Sequence, residues 1–275
     1  QIDLSAGSGV GLAGAAAAVL VFWHDVPAPI ALLIATLGAV LVWSAMGALI
    51  AVERIPAFIM TLGGLLVFRG LHWLVIENQT VPVVVGGSQN VYSLLTTYYL
   101  PEVAGYLLAG LAVTAIVATA LVARKRRQSY GFPVDDGEIT FLKLFALAQM
   151  VFLVVIVTNG YRGIPIALVI LGLVAVLVHQ LVTNTPFGRY LYAIGGNEEA
   201  AVVSGVPVRN TIIGAYALMG GIVALSGFMQ TAYSGASTST VGSLMELDAV
   251  AACVIGGTSL RGGRGTVLGV LFGAL

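Results

Sequence analysis

Residues 26–52 read VPAPIALLIATLGAVLVWSAMGALIAV, 27 residues without one acidic or basic side chain. About 20 consecutive apolar residues carry a helix across the hydrocarbon core of a bilayer. A membrane-spanning strand needs only ~10 residues and alternates in polarity, and this run does neither. A helix also satisfies its own backbone hydrogen bonds, which lipid cannot do for it. The stretch is therefore read as a transmembrane helix, and the rest of the chain is read outward from it.

Charge-free runs of similar length follow at residues 103–123 and 163–188, with a marginal one at 144–161. Residues 210–245 form a run of 36, too long for one span. Its end, YSGASTST at 233–240, is small and polar. A span near 211–231 that gives way to irregular backbone is expected. Runs at 4–24, 55–68 and 249–260, and a last one from Gly265, are short or interrupted by glycine. Of these, 55–68 and 249–260 are too short to span alone. Short segments of this kind point to broken or re-entrant helices, which survive at membrane depth only where they line a cavity or lie buried in protein. The expected fold is all-α, a polytopic transmembrane bundle of about eight segments with broken or re-entrant helices. Residues 1–275 are read as one transmembrane domain with a loop at 184–210 inside it. Gln1 in place of Met, and an apolar run still open at Leu275, give the expectation that further spans lie on both sides.

Composition agrees. Hydrophobic residues make up 59% and charged residues 9%, with a mean hydropathy of +1.01. Soluble domains carry about 25% charged residues. Lys+Arg and Asp+Glu are 12 each, so no basic surface exists for nucleic acid. The single cysteine, Cys253, excludes an internal disulfide and a cysteine-ligated metal. Glycine, at 35 residues, suits helices that approach closely in lipid. Gly9-Val10-Gly11-Leu12-Ala13-Gly14 fits G-x-G-x-x-G, but no strand precedes it, so it is read as a thin helix face, with Gly7 and Gly11 one turn apart. Gly265, Gly269 and Gly273 repeat that spacing.

Basic residues orient the spans. Arg54, Arg124, Lys125, Arg126, Arg127, Lys143, Arg189 and Arg209 fall on one side, eight of the 12. Arg69 and Arg162 fall on the other. Arg261 and Arg264 lie in a loop that alternation of spans does not assign. The basic side is read as cytoplasmic, and it includes the loop at 184–210, NTPFGRYLYAIGGNEEAAVVSGVPVRN. Within that loop Asn197 is placed to cap a short helix over 198–204, with acids in its first turn and Gly205 and Pro207 to stop it. A short, firmly bounded helix with small side chains is a docking element or a lid on the membrane surface.

Glu199-Ala200-Ala201-Val202-Val203-Ser204-Gly205 reads EAAxxxG. It resembles the cytoplasmic coupling signature of the membrane subunits of ATP-binding-cassette (ABC) importers. Other stretches agree in order. IDLSAGS at residues 2–8 looks like the IDLSVGS of the monosaccharide branch, with Ala6 for its Val. IPAFIMTLGG at 55–64 and FRG at 68–70 look like its P-x-F-I-x-T-L and F-R-G block, and AIGGN at 193–197 and LDAVAACVIGGTSL at 247–260 look like its closing blocks. The likeness is to the ribose/xylose/galactose-type permeases, and the basic segment 124–143 is most similar to the xylose-type members.

That resemblance implies a bacterial inner-membrane permease that pairs as a homodimer around one path. It implies an ABC ATPase subunit gripping Asn197, Glu199, Ala200, Ala201 and Gly205, and a periplasmic binding protein that delivers a monosaccharide, a pentose such as xylose favoured. The chain holds no G-x-x-x-x-G-K-[ST] loop, so ATP is expected in the partner, with no cofactor, metal or catalytic residue here. Asp3, Glu246 and Asp248 sit at segment edges. Asp3, Ser5, Ser8 and Asp248 are the candidates to line the path, with helix capping as the structural alternative. His24, His72 and His179 are expected at interfaces, and Cys253 in packing. The rival reading is a secondary transporter of a small neutral solute, against which stands the lack of carboxylates in the centres of 26–52, 103–123 and 163–188. An intramembrane enzyme would need a nucleophile and base that the spans do not supply.

Overall fold

Proline starts much of this architecture. Pro27, Pro56, Pro101 and Pro207 each stand at a helix N-cap, where no backbone N–H is required of them. The computed structural model describes residues 2–84 and 88–275. Among them the helices are α1 (Ala6–Phe22), α2 (Ala28–Glu53), α3 (Ala57–Val75), α4 (Val91–Thr97), α5 (Glu102–Ser129), α6 (Gly137–Asn159), α7 (Ile166–Asn184), α8 (Pro186–Gly196), α9 (Glu198–Val203), α10 (Val208–Ser234), α11 (Met245–Ile255) and α12 (Val267–Gly273). Strands β1 (Val81–Pro82) and β2 (Ala236–Ser237) form one antiparallel ribbon, with Val81 opposite Ser237. Six described helices, α2, α3, α5, α6, α7 and α10, are long and apolar enough to cross a membrane. The protein is a multi-pass helical membrane protein.

Two expectations change. The run at 55–68 was expected to be too short to span, yet α3 continues through Arg69 to Val75. Arginine is a good helix former, and the exposed Arg69 side chain does not interrupt the backbone ladder. The run at 144–161, marginal by charge, begins a turn or more earlier at Gly137 and makes the 23 residues of α6.

The chain divides into two units, Gln1–Thr96 with Ile170–Leu275, and Thr97–Val169. In the first, α1 is the centre. It packs against α2, α3 and α10, while α10 runs along α2. Alanine and glycine make this possible. A Cβ on Gly14 would lie 2.1 Å from Thr231 Oγ1 and 2.6 Å from the Gly227 carbonyl oxygen. A Cβ on Gly220 would lie 2.7 Å from the Ala39 carbonyl oxygen. Backbones so close gain dispersion contacts, the main cohesive force between helices in lipid. Tyr92 ties α4 in, its hydroxyl donating to the Gly14 carbonyl at 2.9 Å. His72, expected at an interface, is instead buried against α1. Its Nε2 lies 3.4 Å from Ser237 Oγ on β2, and the absence of a side chain on Gly11 gives the ring its room.

The second unit is a hairpin of α5 and α6. The Leu100 N–H donates to the Ile164 carbonyl at 2.9 Å, and the Ile166 N–H to the Tyr98 carbonyl at 3.0 Å. Ala109, Val155 and Ile164 form its small core. At the other end Lys143 and Asp135 form an exposed ion pair at 2.5 Å, and Lys143 holds the Asp135 carboxyl below its ordinary range.

Candidate functional site

Ahead of α1 the chain turns at Asp3. One carboxylate oxygen of Asp3 accepts the Ser5 N–H at 2.8 Å and the Ser5 hydroxyl at 2.6 Å; the other accepts the indole N–H of Trp43 at 2.8 Å. Ser5 is fully buried, and the Ser8 hydroxyl donates back to the Ser5 carbonyl at 2.9 Å. Trp43 lies about ten residues, ~15 Å, from the Glu53 end of α2. Asp3 therefore sits near the middle of a span-length helix, and α1 begins at that depth. A carboxylate in this position is held by donors and by the positive end of its helix. Trp43→Phe removes one donor from it. The expected loss is about 1.5–3 kcal/mol, read as a fall in thermal midpoint of the detergent-solubilised protein.

A second interrupted helix meets it. Leu244, in a left-handed conformation at φ 64°, precedes α11 and sets its phase. Glu246, in the first turn of α11, is buried at 7% exposure beside Gly7 of α1. A Cβ on Gly7 would strike the Glu246 carboxylate and lie 2.6 Å from the Gly242 carbonyl. Gly242 itself has φ 81° and lies against the Gly7 carbonyl. The N-terminal ends of α1 and α11 thus meet, each with an acidic side chain.

Both acids line one cavity of about 530 Å³, within the ~300–1,000 Å³ of small-molecule sites. Its walls are helical stripes. Glu246, Ala249, Val250 and Cys253 come from α11, and Ile212, Ala215, Tyr216 and Met219 from α10. Both sets follow i, i+3, i+4, i+7, the spacing of one helix face. Leu191, Ile194 and Gly195 of α8, with Glu198 of α9, continue the same spacing on a third side. Thr258, Ser259 and Arg261 close it. Of the residues the sequence put on the path, Asp3 lines this cavity, Ser5 bonds Asp3, and Ser8 bonds the Ser5 carbonyl. Asp248 does not line it. It is exposed, because two positions along a helix turn it about 200° from Glu246. The acid that the sequence reading set aside, Glu246, is the one that faces in.

The loop at 184–210 becomes two short helices. Thr185 caps α8, accepting from the Gly188 N–H, and Asn197 caps α9, its side chain accepting the Ala200 N–H at 3.0 Å. Glu198 and Glu199 occupy the first turn of α9. The Gly205 N–H donates to the Val202 carbonyl and the Val206 N–H to the Ala201 carbonyl, both at 3.0 Å, with Gly205 at φ 77°. This is the paired bonding of a glycine-terminated helix. Ala201 is buried, whereas Glu199, Ala200, Val202 and Val203 are exposed, Val203 at 89%. The loop carrying Arg261 and Arg264, unassigned by the sequence, lies against the end of α8. A Cβ on Gly195 would lie 2.5 Å from the Gly263 N, and the Tyr192 hydroxyl donates to the Gly265 carbonyl at 2.7 Å. Gly269 and Gly273, expected to pack, place α12 against α11, where Cβ atoms would strike the Gly256 and Ala252 carbonyls. Among the described residues no group of three or more His, Cys, Asp or Glu side chains could hold a metal.

The chain matches, over residues 1–275, the model of a family described as branched-chain amino acid transport system / permease component. It is similar to the xylose transport system permease protein XylH of Haemophilus influenzae, 39% identical over 278 residues, which covers all of this chain and 72% of that protein. The XylH of Escherichia coli is 36% identical over 274 residues, all of this chain and 69% of that protein. The ribose import permease protein RbsC of Haemophilus influenzae is 36% identical over 188 residues, 66% of this chain and 55% of that protein. No solved structure matches the chain.

Proposed function

The chain belongs to the branched-chain amino acid transport system / permease component family, and from that premise we propose that it is the membrane subunit of an ABC importer and forms the path of a monosaccharide, a pentose such as xylose before others. The likeness to xylose permeases along the whole chain carries this reading. A binding protein delivers the sugar from outside, two permease copies surround the path, and ATP is bound and hydrolysed by a separate subunit on the cytoplasmic side. The chain itself takes no cofactor and is not an enzyme. The coupling surface is α9, and its cap and glycine stop support that role. The buried side of Ala201 leaves Glu199, Ala200, Val202 and Val203 to meet the ATPase, with Asn197 and Gly205 holding the helix in shape. Asp3, Ser5 and Ser8 brace the path at the start of α1. Asp248 belongs to the path only outside the cavity described.

The seating of the 261–265 loop against α8 supports the orientation too. With Arg261 and Arg264 on the side of α8, ten of the 12 basic residues face the cytoplasm. Ser129→Cys, Val203→Cys and Arg264→Cys, each in a Cys253→Ser background, are expected to resist an impermeant thiol reagent outside intact cells. Tyr233→Cys, at the far end of α10, is expected to label. Ready labelling of Val203→Cys would reverse the topology.

A proton- or sodium-driven carrier is the reading that Asp3 and Glu246 favour, since ionisable groups at depth often mark ion pathways. Proteoliposomes separate the two. The permease, co-purified with its ATPase and supplied with binding protein, is expected to take up a pentose only with ATP inside the coupled system. Uptake driven by an ion gradient without ATP would replace the importer reading.

A further inference from the structure

We propose that Glu246 is a sugar-contacting residue: its carboxylate receives hydroxyl groups of the passing monosaccharide in the cavity between α8, α10 and α11. This rests on the importer reading and adds a site to it. Glu246 is more than nine-tenths buried, yet no hydrogen bond or ion pair to another described residue satisfies its carboxylate. Asp3, at the same depth, has its three donors. The Glu246 oxygens open onto the cavity, and the Tyr216 and Thr258 hydroxyls that line the same space are buried without a hydrogen-bond partner among the described residues. The cavity is where the remaining donors arrive.

The chemistry of the walls selects what brings them. The described residues hold no group of three or more His, Cys, Asp or Glu side chains of the kind that cages a metal ion. A neutral polyol fits, since its hydroxyls donate to Glu246 while its carbon faces lie against Ala249, Val250 and Met219. A few polar groups, Glu246 and Asp3 with the Tyr216, Thr258 and Ser259 hydroxyls, stand among mainly apolar walls and hold such a cargo weakly, as a transport path requires. Gly7 is part of the site, because any side chain there would occupy the place of the carboxylate.

The chain carries its own reporter. Cys253 is its one cysteine and lines the same cavity. In the complete importer, xylose is expected to slow alkylation of Cys253 by a membrane-permeant maleimide. Glu246→Gln is expected to weaken that protection about tenfold, the loss of one charge-assisted hydrogen bond, and Glu246→Asp to restore part of it. Undiminished protection in Glu246→Gln overturns the proposal. So does the absence of protection in wild-type importer that takes up xylose with ATP. If Glu246→Gln does not assemble, Glu246→Asp decides alone, since a shortened carboxylate shifts the xylose concentration for half-protection only if it touches the sugar. Wild-type importer that moves no monosaccharide with ATP would instead remove the importer reading itself.

Discussion

Gly14→Ala is expected to lower the thermal midpoint of the first unit, whereas Gly63→Ala is expected to raise it. The two glycines are both helical and differ only in what stands beside them. At Gly14 the added methyl would sit 2.1 Å from Thr231 Oγ1 and 2.6 Å from the Gly227 carbonyl oxygen, and Gly227 in turn lies against Val10 and Gly14. The backbone of α10 must move to admit it. Overpacking a closed contact costs about 1–3 kcal/mol, and the damage spreads because α1 also holds α2, α3 and Tyr92. At Gly63 nothing lies within 4 Å of the new Cβ. There alanine gains about 0.4–1 kcal/mol by removing freedom from the unfolded chain. Thermal unfolding in detergent reads the contrast, at about 2–4 °C per kcal/mol for a chain near this size. Equal midpoints for the two variants would mean that α1 and α10 are not in backbone contact.

Gly205→Val is expected to stop uptake while the spans insert and fold normally. No atom lies within 4 Å of a Cβ at Gly205, so the strain is purely conformational. A side chain at φ 77° costs about 1–2 kcal/mol, more for a branched one. A helix of six residues has little to oppose it. α9 would lose its stop and with it the face it presents. Val203→Asp tests the same surface without strain, since Val203 is 89% exposed. Both variants are expected to lose the ATPase on purification. Arginine at buried Ala201 would disturb the loop itself and is the poorer probe. Wild-type co-purification and uptake in both Gly205→Val and Val203→Asp would remove α9 as the coupling surface.

What could be read from the sequence is what local physics decides. Long charge-free runs gave spans, and the Asn197 cap, the acids of the first turn and the Gly205 stop gave α9 nearly to the residue. The cavity required helix phase. Glu246, Ala249, Val250 and Cys253 already showed the spacing of one face, and that signal would have preferred Glu246 to Asp248. Other features rest on contacts between distant segments. His72 is buried because Gly11 makes room and Ser237 approaches, and the loop at 261–265 finds its place against Gly195. No local rule reports such pairings. The continuation of α3 past Arg69 was missed for a simpler reason, since a charge that reaches out of a helix does not end it.

The central position of α1 also governs the order in which the protein can be made. α1, α2 and α3 enter the membrane before α10, but the face of α1 that carries Gly14 closes only on α10, which begins at Val208. At ~5–20 residues per second, roughly 130 further residues take about 7–26 s to synthesise. For that interval the nascent chain holds a helix of alanine and glycine whose partner does not yet exist. Lipid is a poor substitute, because it cannot fill a backbone groove. A chain that ends before α10 is therefore expected to leave α1 with an open groove along Gly14, whatever the quality of its other spans.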